Sequence, residues 1–136
     1  MKAIYPFTVL VIIGLLFSSC ARKLTFASSP VLPAAEGKVK IKKDDNQNYI
    51  ISVDITRLAK PGSLTPPKEV YVVWMESDRN RTRNIGQINP SSGLFSKTLK
   101  GSLKATATAR PTRIFLTAED NGNVQYPGSQ RVLMTE

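Results

Sequence analysis

The chain has 136 residues, the length of one ordinary domain, and 19 Lys and Arg against 10 Asp and Glu give it a formal charge of +9. It contains no histidine and a single cysteine, Cys20. Zinc sites built from Cys and His, catalytic triads that need histidine, and disulfides within the chain are therefore excluded. The positive charge predicts an anionic partner, although its sign alone does not identify that partner.

Residues 1–19 have the pattern of an export signal. Met1 and Lys2 precede an uncharged apolar run that ends in Ser18 and Ser19. A basic start, a short apolar middle and small residues at the exit are typical of a signal peptide. Because the run is shorter than the roughly 20 apolar residues of a membrane-spanning helix, we expect residues 1–19 to be cleaved.

Residues 16–20, Leu-Phe-Ser-Ser-Cys, resemble the lipobox of bacterial lipoproteins, in which the cysteine thiol accepts a diacylglycerol and becomes the new N-terminus. The resemblance implies that Cys20 is lipidated and attaches the protein to a membrane. An ordinary secretory signal, with Cys20 removed or left as a free thiol, is the alternative. Ala21 stands where an acidic residue in some bacteria resembles an inner-membrane retention signal, so the outer membrane or the periplasmic face is favoured.

Residues 20–36 and 37–136 differ in pattern. The first segment contains two prolines and a Ser-Ser pair without a sustained period, which predicts a lipidated flexible tether. The second alternates apolar and polar residues in short runs separated by turn residues, and it shows no helical period. Predicted strands cover residues 38–42, 49–56, 69–75, 82–88, 94–99, 103–108, 112–119 and 130–134. Seven or eight such strands predict an antiparallel immunoglobulin-like β-sandwich.

The strand at residues 69–75 is apolar on both faces, which is typical of a central strand. If Val70, Val72 and Trp74 fill the core, the opposite face presents an exposed apolar patch that would contact a protein partner. That patch consists of Tyr71, Val73 and Met75. The alternative is that long side chains cover these residues or that the strand is buried on both faces.

Two basic stretches are candidate contacts for an anionic surface. They are Lys38, Lys40 and Lys42 in the first predicted strand, and Arg79, Arg81 and Arg83 at a later turn. The two stretches would form one surface if their hairpins were neighbours. The alternative is that the lysines protect an edge strand against aggregation.

Acidic residues occur in three close pairs: Asp44 with Asp45, Glu76 with Asp78, and Glu119 with Asp120. Glycosidase chemistry needs two acids held across a cleft, one of them with a raised pKa. All three pairs fall at predicted turns or strand ends, where acids are normally solvated. We therefore expect no catalytic residue, no cofactor and no metal site.

Several segments follow one another in a familiar order. They are residues 70–74, 84–88, 105–111 and 114–119, and then Pro127-Gly128 with Val132-Leu133. This series resembles the extracytoplasmic domain of anti-sigma-K-type factors, over about residues 68–133. The resemblance implies a β-sandwich with a sensing or scaffolding role. Because only Met1 and Lys2 precede the export signal, we do not expect it to extend to inhibition of a sigma factor.

The predicted function is that of a non-enzymatic, lipid-anchored bacterial envelope protein that binds or scaffolds through one β-sandwich and is linked to envelope sensing. Its predicted partners are the membrane, through the lipid, and an envelope protein or anionic surface, with no nucleic acid. A small carboxylate-dependent enzyme acting on glycans and a structural subunit of an envelope complex are the alternatives.

Overall fold

A computed structural model describes residues 20–136. The predicted signal peptide, residues 1–19, lies outside the described residues. The described chain forms nine β-strands and one short 3-10 turn, Pro61–Ser63. The strands are β1 (Arg22–Thr25), β2 (Glu36–Lys43), β3 (Tyr49–Thr56), β4 (Val70–Ser77), β5 (Thr82–Ile88), β6 (Ser91–Ser92), β7 (Leu99–Ala107), β8 (Pro111–Glu119) and β9 (Arg131–Met134). Within residues 20–136 no helix has the length and apolar character to cross a membrane.

The strands form two antiparallel sheets. One has five strands in the order β1-β2-β3-β7-β6, and the other has four strands in the order β5-β4-β8-β9. The chain passes between the sheets after β3, after β5, and again at the short turn that joins β7 to β8. The prediction of an all-β domain is confirmed, and the two sheets are compatible with a β-sandwich.

The main core lies between the two sheets. Period-two alternation on β2 and β3 turns Val39, Ile41, Ile51, Val53 and Ile55 inward, and each is at most 5% exposed. Buried residues of β4, β8 and β9 join the same cluster from the four-stranded sheet. Because both clusters of buried apolar residues lie within residues 20–136, this segment contains its own core.

Tyr71, Val73 and Met75 belong to this main core, and none is more than 2% exposed. The predicted exposed patch of Tyr71, Val73 and Met75 is therefore wrong, and the alternative of a strand buried on both faces is correct. Tyr71 donates its phenol proton to the Ala59 carbonyl oxygen at 2.6 Å. Burial raises the pKa of Tyr71 to about 12.

The other face of β4 forms a second, smaller apolar cluster. Val70, Val72 and Trp74 pack there with Phe115, and the rings of Trp74 and Phe115 stack at 6.3 Å between centroids. The guanidinium carbon of Arg131 lies 4.5 Å from the centre of the Phe115 ring and shields it. Trp74 is thus a core residue, as predicted, but it is buried on the outer side of its sheet.

The predicted tether is part of the folded domain. Strand β1 pairs with β2 over its whole length, and Ala27 donates its backbone N–H to Met134 of β9. Further along, Leu32 and Ala35 are buried in the main core. The composition of residues 20–36 was misleading, since prolines end strands without preventing the residues between them from packing.

Residues 94–99 do not form the predicted strand. Residues 94–98 make an exposed loop before β7, which begins at Leu99, and Leu94 and Phe95 are 97% and 99% exposed. The alanine-rich segment that follows does form a strand, because β7 pairs along its full length with the central strand β3. Tertiary pairing therefore outweighs the weak strand propensity of alanine there.

Candidate functional site

The outer face of the five-stranded sheet carries a dense group of positive side chains. The pairing register of the strands places these side chains close together. On β2 the buried Val39 and Ile41 alternate with lysines that point to solvent. Pairing with β1 and β7 brings further lysines onto the same face. We call this the lysine face, and its members are Lys23, Lys38, Lys40, Lys42, Lys100 and Lys104.

One row of the lysine face crosses four strands. Lys23 lies opposite Lys40, Lys40 opposite Ser52, and Ser52 opposite Lys104. Like charges directly opposite each other destabilise a sheet. The arrangement therefore costs stability in the free protein, and an anionic ligand would relieve that cost.

Few acids offset these charges. Glu36 and Asp54 lie on the same face, and Glu36 is ion-paired with Arg57 at 2.6 Å. Within the part of the chain that the structure describes, no lysine of this face makes an ion pair. Asp54 lies opposite Lys38, but lysines outnumber acids on the face, so it has a net positive charge that attracts anions before contact.

A shallow cleft of 430 Å³ lies on the lysine face. It is lined by Lys40, Lys42, Lys43, Asp44, Asp45, Ile50, Ser52 and Lys104. The carboxylate of Asp44 accepts backbone N–H bonds from Asn46 at 2.8 Å and Asn48 at 2.9 Å, so it shapes the β2–β3 turn. The cleft thus offers four lysine ammonium groups beside the carboxylates of Asp44 and Asp45, over a small polar and apolar floor.

The second predicted basic stretch lies elsewhere. Arg79 and Arg81 are in the turn between β4 and β5, and Arg83 lies near the start of β5, on the edge of the four-stranded sheet. Arg81 and Arg83 line a 620 Å³ groove beside residues 122–125, separate from the cleft on the lysine face. The two predicted basic stretches are on different sheets and do not line a common cleft.

The edge-strand interpretation of the lysines is also wrong. Strand β2 lies between β1 and β3, so Lys38, Lys40 and Lys42 are not at an edge. Sequence reasoning missed Lys23 because it assigned residues 20–36 to a tether, and it did not use Lys104. The alternation of residues 103–108 indicated that Lys104 faces solvent. The pairing of β7 with β3 then places Lys104 in the same row as Lys23 and Lys40.

Each of the three acid pairs contains at least one acid with a structural partner, which for the first pair is Asp44. Glu76 pairs with Arg113 at 3.2 Å, and Asp120 pairs with Lys68 at 3.2 Å. Glu119 is buried and accepts hydrogen bonds from the Thr117 hydroxyl at 2.6 Å and the Gly128 N–H at 2.7 Å. Within residues 20–136 no three His, Cys, Asp or Glu side chains are grouped as metal ligands.

Cys20 is exposed at one end of the sandwich. It lines a cleft of 520 Å³ together with Arg22, Lys42, Lys43, Arg110 and neutral side chains. Strand β1 begins only two residues after Cys20. This end of the domain, which we call the anchor pole, therefore lies close to any group attached to the thiol.

No family model, no curated protein and no solved structure matches this chain.

Proposed function

We propose that this protein is a non-enzymatic bacterial lipoprotein whose β-sandwich binds an anionic component of the cell envelope through the lysine face. Lipidation of Cys20 would hold it at the outer membrane or the periplasmic face. The observation that carries the proposal is the row of Lys23, Lys40 and Lys104 on a face with little opposing charge. Binding of an anion would offset the repulsion between Lys23 and Lys40.

We also propose an immunoglobulin-like strand topology and a relationship to a family of extracytoplasmic domains. Two antiparallel sheets linked by crossings after β3 and β7 support an immunoglobulin-like arrangement. The order of the segments in residues 68–133 supports kinship with the extracytoplasmic domain of anti-sigma-K-type factors, and with it a link to envelope sensing. In that setting the bound anion would be the component that is sensed or scaffolded.

Binding through the lysine face is tested with an immobilised sulfated polyanion, heparin, as the probe. The variant Lys40→Glu/Lys104→Glu reverses two charges on the face, and Lys60→Glu/Lys97→Glu makes the same net change at exposed positions outside it. We expect the first variant to elute at clearly lower salt than the second, because local rather than total charge decides binding. Equal elution of the two variants would show that only net charge matters and would overturn the proposal.

Lipidation is tested separately by the intact mass of protein extracted from the host membrane. We expect the chain to begin at Cys20 and to carry the added mass of diacylglycerol and acyl groups. A mature chain without acyl mass would remove the anchor and leave the binding surface to be judged by the heparin experiment.

A further inference from the structure

The cleft at the anchor pole differs in chemistry from the cleft on the lysine face, where Asp44 and Asp45 lie beside four lysines. Its charged lining consists of Arg22, Lys42, Lys43 and Arg110, and no carboxylate lines it. Among residues 20–136 none of these four side chains makes an ion pair. Four cations around an open cavity of 520 Å³ favour a ligand with a negative charge.

The cleft lies where β1, β2, β3 and β8 begin or end at the same pole. Lys43 of β2, Tyr49 of β3 and Ala107 of β7 lie in one row of the sheet, and Pro111 begins β8 just beyond the turn that follows β7. The guanidinium Nη1 of Arg22 donates to the Pro111 carbonyl oxygen at 3.0 Å, which joins β1 to the other sheet. Lys43 lies 5.4 Å from the centre of the Tyr49 ring. The positive groups are thus fixed to sheet ends rather than to a long loop.

The opposite pole has a different character. There Glu36 pairs with Arg57 and Asp120 pairs with Lys68. The exposed loop that carries Leu94 and Phe95 precedes β7 at that pole as well. Lys60 and Lys97 also lie there without a described ion pair, and acids lie at both poles. The anchor pole is therefore distinguished by four basic side chains grouped around one cleft.

The distance between Cys20 and the cleft is short by covalent geometry. Arg22 is the second residue after Cys20, and two extended residues span at most about 7 Å. Such a link cannot lift the cleft above the headgroup layer of a bilayer that holds the Cys20 lipid. Headgroups of neighbouring lipids would then lie against the cleft.

We propose that the anchor-pole cleft binds the phosphate of an anionic phospholipid headgroup and so holds the sandwich upright on the membrane. This inference rests on the proposed attachment at Cys20. The strands then run away from the bilayer, and Leu94 and Phe95 lie at the far end of β7, whose nine residues span about 30 Å. The lysine face, apart from Lys42, which also lines the cleft, stands beside the membrane and remains free for its own ligand.

The experiment uses residues 20–136, which contain their own core, as a Cys20→Ser variant that cannot be lipidated. Its binding is measured by co-sedimentation with vesicles of phosphatidylcholine alone and with vesicles that also contain phosphatidylglycerol. Cooperative thermal unfolding of each variant establishes that it is folded. We expect binding only where phosphatidylglycerol is present, and weaker binding as salt is raised.

Two double variants separate the cleft from the lysine face. Arg22→Gln/Arg110→Gln removes two charges that only the cleft uses, and Lys40→Gln/Lys104→Gln removes two that only the lysine face uses. We expect the cleft variant to bind phosphatidylglycerol vesicles on the order of tenfold more weakly, and the face variant to lose much less. Arg22→Lys/Arg110→Lys keeps the charge and is expected to restore most of the binding.

Equal losses in the two double variants, or a larger loss in the face variant, would overturn the inference, as would binding that ignores phosphatidylglycerol. Those outcomes leave the heparin result untouched, because that experiment compares the lysine face with distant lysines. A failed heparin experiment combined with a cleft-specific vesicle result would instead remove the proposed function and keep the headgroup site.

Discussion

Lys23 lies directly opposite Lys40 in the antiparallel pairing of β1 with β2, so two positive side chains are neighbours on the lysine face. Repulsion between these two lysines has opposite effects on the stability of the free protein and on the binding of an anion. In the free protein it favours unfolding, whereas on an anionic surface it adds to binding.

The first prediction is that Lys40→Gln stabilises the free protein while it weakens retention on heparin. We expect the free energy of unfolding to rise by roughly 0.2–0.5 kcal/mol at low ionic strength, because one repulsive pair is removed from an exposed sheet. Urea denaturation measures the change, with Lys60→Gln as the control outside the face. The gain should disappear near 1 M salt, where the Debye length is about 3 Å, and a gain that persists there would contradict the electrostatic explanation.

The second prediction concerns the network that fixes the outer cluster. The indole N–H of Trp74 donates to Thr117 Oγ1 at 2.8 Å, and the Thr117 hydroxyl donates to Glu119 at 2.6 Å. Thr117→Val keeps the shape of the side chain but leaves the indole and a buried carboxylate without this partner. We expect a loss of about 1–3 kcal/mol in the free energy of unfolding.

Thr117→Ser is the matched control, because it retains the hydroxyl, and its loss should be clearly smaller. The chain has a single tryptophan, so its fluorescence reports on Trp74 alone during urea unfolding. If the Val and Ser variants were equally stable, the hydroxyl would have no role in holding the cluster.

The third prediction is a loss of stability at alkaline pH that depends on Tyr71. Burial raises the pKa of Tyr71 to about 12 in the folded protein, above the ordinary value of 10.0. The folded state therefore keeps the phenol protonated where the unfolded state releases the proton. This contribution, roughly 2–3 kcal/mol, is complete below about pH 10 and is lost as the pH rises towards 12.

Free energies of unfolding measured from about pH 9 to 12 test this, with Tyr71→Phe as the comparison. The variant lacks the titrating group, so its stability should fall less steeply over that window. At neutral pH it should be about 1 kcal/mol less stable, because the Ala59 carbonyl loses its donor. Parallel curves for the two proteins would refute the role of Tyr71.

Alternation in the sequence predicted β2, β3, β4 and β8 well, since a half-buried strand must place apolar residues on one side. The alternation did not indicate which face of β4 points towards the other sheet. Val72 and Val73 are both fully buried, and only the position of β8, β9 and the chain around Val124 decides which side meets the other sheet. Periodicity contains no information about which elements cover a strand.

The candidate site could be predicted only in part, because it depends on which strands pair as well as on local patterns. The lysines of β2 were visible as a pattern, but the face exists because β1 and β7 add Lys23 and Lys104 through pairing between distant segments. The anchor-pole cleft depends even more on the fold, because Arg22 and Arg110 are far apart in sequence. Local patterns show which residues face solvent, and register decides which of them meet.

The last prediction tests whether the segment after Cys20 is packed or free. A methyl group on Gly37 would lie 2.6 Å from Phe26 Cδ2 and 2.9 Å from Ile55 Cγ1, so Gly37→Ala forces both side chains to move. We expect a loss of about 1–3 kcal/mol in the free energy of unfolding, the usual result of overpacking. Gly93→Ala is the control, because nothing lies within 4 Å of a methyl group there, and it should be neutral or slightly stabilising. In the double variant Gly37→Ala/Phe26→Leu, the smaller side chain should recover part of the loss, since Phe26 supplies the nearer contact. If Gly37→Ala were as stable as the wild type, Phe26 would not be packed against β2, and residues 20–36 would behave as the tether that their composition predicts.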